Sequence, residues 1–249
     1  MERDPIQDLA RLIRERQPCV VLTGAGVSTD SGIADFRSPS GIWAQFDPQE
    51  YATIEAFRGD PAKVWRFYGP RVSMLAAAYP NPAHHAIAEL ERRGLVEAVV
   101  TQNIDLLHER AGSHEVVEVH GSIRTFTCLQ CGAGYDLPYV LRLLKAGLDD
   151  PPRCSSCAAI VKPDVVFFGE LVPERPMARA HALARAARLL LVVGSTLEVW
   201  PVAELPAQTR RHGGAVAIVN RGPTGYDDRA DLRIEGSAGD VLRAVVESL

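Results

Sequence analysis

Four cysteines in two closely spaced pairs carry the most specific chemical signal in the sequence. Cys128 and Cys131 form one C-x2-C pair, and Cys154 and Cys157 form a second pair after a gap of 22 residues. Thiolates two residues apart on a turn can bind one ion, and two such turns complete a tetrahedral zinc site. Because four thiolates leave no coordination position open for water or substrate, we predict that the zinc is structural. Cys19 stands alone in an apolar run and is expected to pack in the core.

A glycine-rich stretch, Thr23 to Ser28 (TGAGVS), directly follows the apolar run CVVLT. A buried strand followed by such a turn is typical of nucleotide-binding α/β units, because glycines let backbone N–H groups approach a pyrophosphate. The standard fingerprint is incomplete, since Thr29 stands where the third glycine would be. A tight structural turn is therefore the alternative interpretation.

Polar side chains follow other apolar runs, at the edge where parallel sheets bind ligands. Gln102, Asn103 and Asp105 offer amide and carboxylate groups that could hold a carboxamide and ribose hydroxyls, although Asn103 or Asp105 could instead cap a helix. Two later runs end in Gly194-Ser195-Thr196 and in Asn220.

His120 ends the short run VVEVH, just before the cysteine segment. An imidazole titrates near neutral pH and can act as a general base, whereas a structural role is the alternative for a histidine at a strand end. The apolar segment from Val161 to Glu170 could add a substrate peptide as a strand, or could be a core strand. The long loop from Asp30 to Trp43 is typical of a lid, with a packed structural loop as the alternative.

These residues need a scaffold of alternating strands and helices. Short apolar runs predict buried strands at 19–23, 96–101, 189–194 and 215–220. Helical periodicity lies before and between them, at 4–17, 82–93, 175–187 and 201–211. The alternation predicts a doubly wound, mostly parallel, Rossmann-like α/β sheet with helices on both faces.

Two stretches do not fit this alternation and predict a smaller inserted module. We expect residues 36–80 to form a helical insertion and residues 121–165 to form a zinc-binding module. Residues 1–35, 81–120 and 166–249 would then form the Rossmann-like domain. The cleft between the two domains is the natural place for a site.

Composition excludes several classes of partner. The net charge of −4 argues against direct binding of nucleic acid through bulk positive charge. No apolar run approaches the roughly 18 residues that span a bilayer, and the N-terminus has no secretory signal pattern, so we expect a cytoplasmic protein with no membrane partner. We also expect a monomer.

In this order and spacing, the motifs resemble those of the sirtuin family, the NAD-dependent protein lysine deacylases. The matching stretches cover nearly the whole chain: TGAGVSTDSGIADFRSPSGIW, TQNIDLLHERAG, the HG of VEVHGS, the paired CxxC, KPDVVFFGE, GSTLEVWP and IVN. The resemblance implies NAD and one structural zinc as cofactors. It also implies an acyl-lysine protein or peptide as substrate.

The resemblance also assigns roles. It makes His120 the base and Asn103 the residue that places water or ribose. Cofactor contacts would come from Gly24, Ala25, Gly26, Thr29, Ile33, Asp35, Phe36, Arg37, Gln102, Asn103, Ile104, Asp105, Gly194, Ser195, Thr196, Asn220 and Ala238. Substrate contacts would come from Ala52, Tyr68, Arg71, Val165, Phe167, Gly169 and Glu170.

The resemblance to sirtuins also implies a reaction, in which an acyl group is removed from lysine and the products are nicotinamide, free lysine and O-acyl-ADP-ribose. Tyr68-x-x-Arg71 and Ala52 resemble the family members that remove malonyl and succinyl groups, whereas the DFRS and LEVWPVAELP segments resemble the general bacterial deacetylases. We therefore expect deacetylation with some acidic deacylation. Mono-ADP-ribosyl transfer and a non-catalytic NAD-sensing module are the alternatives.

Overall fold

The computed structural model describes residues 4–147 and 151–249. Its strands are β1 (Cys19–Thr23), β2 (Ala98–Thr101), β3 (Val116–Glu118), β4 (Gly121–Cys128), β5 (Gly134–Asp136), β6 (Val161–Val165), β7 (Leu189–Val193), β8 (Ala215–Asn220) and β9 (Leu232–Glu235). The main sheet has the order β3-β2-β1-β7-β8-β9, and every neighbouring pair in it is parallel. The predicted Rossmann-like sheet is therefore confirmed.

Helices cover both faces of this sheet. The helices of the described residues are α1 (Pro5–Glu15), α2 (Pro48–Tyr51), α3 (Ile54–Gly59), α4 (Pro61–Ala77), α5 (Pro82–Arg92), α6 (Leu107–Arg110), α7 (Leu137–Ala146), α8 (Glu174–Ala186), α9 (Leu205–Arg211) and α10 (Ala238–Ser248), and those that pack on the main sheet are α1, α5, α8, α9 and α10. Val21 packs with Leu9 of α1 on one face, whereas its neighbour Val20 packs with Leu183 of α8 on the other. Successive side chains of a strand point to opposite faces, so a sheet covered on both sides needs the unbroken apolar run CVVLT.

A second sheet belongs to the part of the chain that carries the cysteines. It is antiparallel, with the order β5-β4-β6. Its core continues into the helices of the segment before it: Trp65 of α4 stacks on Phe126 of β4, and the indole Nε1–H donates to the carbonyl oxygen of Val161 at 2.7 Å. The two stretches that interrupt the alternation thus share one apolar core, while the residue limits of the two domains stay a prediction.

The strand order reverses between β1 and β7. Ligands of doubly wound sheets bind at such a switch point, outside the carboxyl ends of the strands, because the loops diverge there. The loops after β1, β2, β7 and β8 all begin at this edge. Within the described ranges, no helix has both the length and the apolar character needed to cross a membrane.

Candidate active site

A cavity of about 890 Å³ lies at this edge of the main sheet. Ligand pockets in proteins commonly measure roughly 300–1,000 Å³. Its walls include every residue for which the sequence suggested a catalytic, cofactor or substrate contact: Gly24, Ala25, Gly26, Thr29, Ile33, Asp35, Phe36, Arg37, Ala52, Tyr68, Arg71, Gln102, Asn103, Ile104, Asp105, His120, Val165, Phe167, Gly169, Glu170, Gly194, Ser195, Thr196, Asn220 and Ala238. The tertiary structure therefore brings these residues together, and their individual roles stay proposals.

The glycine-rich turn after β1 is pressed against the loop after β7. The N–H of Gly24 donates to the carbonyl oxygen of Val193 at 3.1 Å, and the N–H of Gly26 donates to that of Gly194 at 2.9 Å. A Cβ atom at Gly24 would lie 2.8 Å from the oxygen of Gly194, and one at Gly26 would lie 2.9 Å from the Gly194 Cα. Both glycines are thus required by the close approach of the two loops. The stretch is therefore a tight structural turn, as the alternative interpretation expects, and it also forms part of the cavity wall.

His120 stands between β3 and β4, and its imidazole is half-buried in the cavity. The Nδ1 atom lies 3.1 Å from the carbonyl oxygen of Gln102. A carbonyl oxygen can only accept a hydrogen bond, so Nδ1 carries the proton of the neutral ring and the lone pair resides on Nε2. Burial lowers the pKa of His120, and the bond to Gln102 opposes that shift in part. The ring is therefore a neutral base near pH 7.

Asn103 is held by both of its amide groups. Its Nδ2 donates to the carbonyl oxygen of Gly24 at 3.2 Å and to Ser28 Oγ at 3.0 Å, while its backbone N–H donates to Thr101 Oγ1 at 3.1 Å. Ser28 Oγ in turn donates to Asp105 Oδ2 at 2.7 Å. This network ties the ends of β1 and β2 together and fixes the Asn103 side chain in the cavity wall.

Asp105 also contacts the start of α6, although the N-cap of that helix is Leu106 and not Asp105. The other carboxylate oxygen of Asp105, Oδ1, accepts the N–H of Leu107 at 3.0 Å. Asp105 is therefore a partner both of Ser28 and of the first N–H of α6. Gln102 joins two loops instead, since its Nε2 donates to Ser195 Oγ at 2.9 Å.

Two buried histidines lie behind this wall, and sequence reasoning gave them no role. Nε2 of His84 is 3.4 Å from Ser28 Oγ, and Nε2 of His108 is 2.9 Å from Thr23 Oγ1. Burial lowers the pKa of His84 to about 4 and the pKa of His108 to about 3, so both rings are neutral near pH 7. The position of His84, three residues after Asn81, was the available signal in the sequence. Asn81 and His84 together form the capping box of α5.

The loop between β1 and α2 crosses the mouth of the cavity. Asp35 Oδ1 accepts the backbone N–H groups of Arg37 and Ser38 at 3.1 and 2.9 Å, which stabilises the turn. Arg37 Nε forms an ion pair at 3.1 Å with Glu198, in the loop after β7. Opposite walls of the cavity are therefore connected through a charge pair at the surface.

The helical wall carries Tyr68 and Arg71 in the middle of α4, one turn apart. Neither residue is at a helix end, because α4 continues to Ala77, and both side chains line the cavity. Arg71 Nη1 donates to the carbonyl oxygen of Phe67 at 2.7 Å, and the guanidinium lies 3.5 Å from the centre of the Phe67 ring. Burial lowers the pKa of Arg71 and raises that of Tyr68. No carboxylate of the described residues neutralises this guanidinium.

The segment after β6 forms the wall nearest to His120. The N–H of Val166 donates to the carbonyl oxygen of His120, and the N–H of Phe168 donates to that of Ala52, both at 2.9 Å. The carbonyl oxygen of Val166 has no hydrogen-bond partner among the described residues. The strand itself ends at Val165, so the extended segment expected over 161–170 is a short edge strand followed by a turn.

The cavity wall also contains apolar residues to which the sequence assigned no individual contact. Val166 and Phe168 follow β6, and Val199 and Trp200 follow β7. Trp200 is 70% exposed and lines the cavity, so its ring is accessible to a ligand there. The doubled phenylalanine of VVFFGE and the aromatic in LEVWP were the available signals.

The four paired cysteines converge outside the cavity. Their sulfur atoms all lie within 4.8 Å of one another, and no disulfide joins them. Cys128 Sγ is 3.5 Å from Cys157 Sγ, and Cys131 Sγ is 3.5 Å from Cys154 Sγ. Tetrahedral zinc with bonds of about 2.3 Å places its sulfur ligands about 3.8 Å apart, so the cluster fits one zinc ion.

Because none of these four cysteines lines the cavity, this zinc is structural. Cys19 is different: it is fully buried in β1, and burial raises the pKa of its thiol to about 12. It packs in the core, as its apolar surroundings predict.

Fold and site together define an α/β protein with a ligand crevice at its topological switch point and a structural zinc module beside it. The Sir2 family model matches residues 24–201. The chain therefore belongs to the Sir2 family.

Individual relatives match over nearly the full length. The chain is 44% identical over 242 residues to NAD-dependent protein deacylase 2 of Pyrobaculum aerophilum, covering 97% of this chain and 95% of the relative. It is 41% identical to the NAD-dependent protein deacetylase of Thermotoga maritima, covering 97% of each. Among solved structures, a Sir2 variant with deacetylated p53 peptide and 3'-O-acetyl ADP ribose has a TM-score of 0.92 at 40% identity, covering 97% of both chains.

Proposed function

We propose that this protein is an NAD-dependent protein lysine deacylase. Its reaction transfers an acyl group from a lysine side chain to the ADP-ribose part of NAD, consumes one water molecule and gives nicotinamide, free lysine and O-acyl-ADP-ribose. The observation that carries the proposal is His120, a neutral imidazole with its Nε2 lone pair free in a cavity that also contains the switch-point loops. Support comes from the curated relatives, which are named as NAD-dependent deacylases and deacetylases.

The cavity walls suit a dinucleotide. The turn at Gly24 and Gly26 has no side chains that would keep a pyrophosphate away, and polar groups of the loops after β7 and β8 suit an adenosine. We assign the adenosine half to Ser195, Thr196, Asn220 and Ala238. We assign the nicotinamide pocket to Ile33, Asp35, Asn103, Ile104 and Asp105.

Bound NAD supplies a ribose carbon from which nicotinamide can depart. His120 Nε2 accepts a proton from a hydroxyl group during acyl transfer, and Nδ1 stays bonded to Gln102 throughout. Asn103, held by Gly24 and Ser28, orients the reacting water or ribose. The zinc stabilises the module that carries β4 and β6 and takes no part in bond breaking.

An acyl-peptide assay tests this proposal. The wild type should release nicotinamide from NAD in the presence of an acetyl-lysine peptide, and mass spectrometry should show that the peptide loses the acyl mass. A gain of ADP-ribose mass would instead indicate mono-ADP-ribosyl transfer, and absence of nicotinamide release would favour the NAD-sensing module. His120→Tyr should abolish turnover while the protein stays folded; an active variant would remove His120 from the role of base.

We further propose that the enzyme also accepts acyl groups that end in a carboxylate. Arg71 supports this extension, because its half-buried guanidinium lines the cavity and has no acidic partner in the described parts of the chain. Tyr68 is one helical turn away, and Ala52, which is only 4% exposed, leaves room beside them. A guanidinium binds a carboxylate through two parallel hydrogen bonds.

Four properties expected from the sequence are proposed on that basis alone. They are a cytoplasmic location, a monomeric state, no binding of nucleic acid and no binding of membranes. Light scattering coupled to gel filtration tests the oligomeric state, since a mass of twice 27.1 kDa would contradict a monomer.

A further inference from the structure

The ammonium group of Lys162 lies inside the protein, although lysine is normally exposed. The residue is 5% exposed. Its Nζ donates to the carbonyl oxygens of Pro163 at 3.1 Å and Val165 at 2.7 Å, and it forms an ion pair at 2.9 Å with Glu170. Two hydrogen bonds and one ion pair thus compensate the burial of this charge.

Glu170 connects this ammonium to the far end of the turn. The same oxygen that pairs with Lys162, Oε2, also accepts the backbone N–H of Phe167 at 2.8 Å. The ring of Phe167 lies over the ammonium, with 4.2 Å between Nζ and the ring centre. The charge pair of the buried Lys162 with the partly exposed Glu170 therefore contacts the start, the middle and the end of the segment 165–170.

The remaining groups of this segment connect it to the reaction centre. The N–H of Val166 donates a hydrogen bond to the carbonyl oxygen of His120. The N–H of Phe168 donates to the carbonyl oxygen of Ala52, and the carbonyl oxygen of Phe168 accepts the N–H of Ile54 at 3.0 Å. The carbonyl oxygen of Val166 is left without a partner among the described residues, so it is available to an N–H of a substrate. A shift of the segment would displace this acceptor from His120.

We propose that Lys162 is a positioning residue for the acyl-lysine substrate. Its ion pair with Glu170 holds the segment 165–170 in the shape that presents the Val166 carbonyl beside His120. Lys162 is buried and the Glu170 side chain is 25% exposed, so the desolvation of the lysine offsets much of the attraction within the pair. The role that we assign to the pair is therefore to fix the conformation of the segment 165–170. The inference rests on the proposed function.

Two variants and one control test the inference. Lys162→Met keeps the length of the side chain and removes its three donors. The double variant Lys162→Met/Glu170→Gln also removes the charge that would be left unpaired. The matched control is Lys63→Met, because Lys63 pairs with Glu50 at the same 2.9 Å and lies over the ring of Tyr51, but at the surface.

Steady-state rates of nicotinamide release are measured with an acetyl-lysine peptide. We expect the KM for the peptide to rise about tenfold in the Lys162 variants, because small displacements of a substrate-positioning group cost that much or more. The KM for NAD should stay within about twofold, because no residue assigned to the pyrophosphate or the adenosine contacts Lys162. Lys63→Met should change neither constant.

An unchanged peptide KM in the folded double variant would overturn the inference. So would an equal rise of both KM values, or the unfolding of both Lys162 variants, because each would assign the pair a general structural role. If the wild type released no nicotinamide, the proposed function would fail instead. The affinity for a fluorescent acetyl-lysine peptide would then decide the inference separately.

Discussion

Nδ1 of His120 lies 3.1 Å from the carbonyl oxygen of Gln102, so the orientation of the imidazole is set by the backbone of the loop after β2. Gln102 is itself fixed at both ends, because its N–H donates to the carbonyl oxygen of Thr23 at 3.0 Å and its side chain donates to Ser195 at 2.9 Å. The base is thus positioned by the same loops that form the switch point of the sheet.

The first prediction concerns the pH dependence of catalysis. Burial lowers the pKa of His120 below the ordinary value of about 6.5, and the neutral ring is the active form. Activity should therefore fall as the pH falls through the lowered pKa, and it should be on a plateau at pH 7.5. Measurement of kcat/KM between pH 5 and 8.5 checks this, and an acidic limb centred above pH 7 would contradict it.

The second prediction concerns the choice of acyl group. Arg71→Met should reduce kcat/KM for a succinyl-lysine peptide by about ten- to a hundredfold, because a charged hydrogen-bonded partner of the carboxylate is lost. The acetyl-lysine rate should change much less. Arg66→Met, an exposed substitution on the same helix, is the control. If Arg71→Met leaves the succinyl rate unchanged, the carboxylate site is not there.

The third prediction concerns the zinc. Elemental analysis should find one zinc per chain, and a strong chelator should lower Tm and abolish activity together, because the metal holds four cysteines from distant turns. Cys154→Ser should lose the zinc, whereas Cys19→Ser should keep it. Full activity in a metal-free, folded protein would argue against a structural role.

The fourth prediction concerns stability in acid. His84 and His108 have a lowered pKa in the folded protein, about 4 and about 3, so the unfolded chain binds more protons below pH 6.5. Their contribution to stability is present above that pH and is lost as the pH falls. When the pH falls from 7.5 to 5, the contribution of each of the two histidines to the free energy of unfolding should decrease by about 2 kcal/mol.

Denaturant unfolding at the two pH values checks this loss. The variant His108→Asn should be less stable than the wild type at pH 7.5 but should lose less on acidification. His212→Asn is the exposed control and should leave the loss unchanged. Equal losses in the wild type and in His108→Asn would show that the buried ring is not responsible.

Strand prediction succeeded where both faces of the sheet are covered. The runs at Cys19–Thr23 and Ala215–Asn220 are strands over their full predicted lengths, because burial on both sides demands an unbroken apolar sequence. β9 was missed because an edge strand is covered less completely, and its LRIE sequence contains two charged residues. The strand over this segment was predicted too long, since β6 ends at Val165 and a turn follows, in which the N–H of Glu170 donates to the carbonyl oxygen of Phe167.

The sequence by itself determined the features that depend on local spacing. Two C-x2-C pairs specify a zinc site, and apolar runs that alternate with amphipathic helices specify a parallel sheet, because both patterns depend on residues close together in the chain. The tertiary structure decided what depends on contacts between distant segments. It set the tautomer of His120, it left Arg71 without an acidic partner among the residues that it describes, and it buried Lys162 against Glu170. Burial and hydrogen-bond partners come from other parts of the fold, so no local pattern could have specified them.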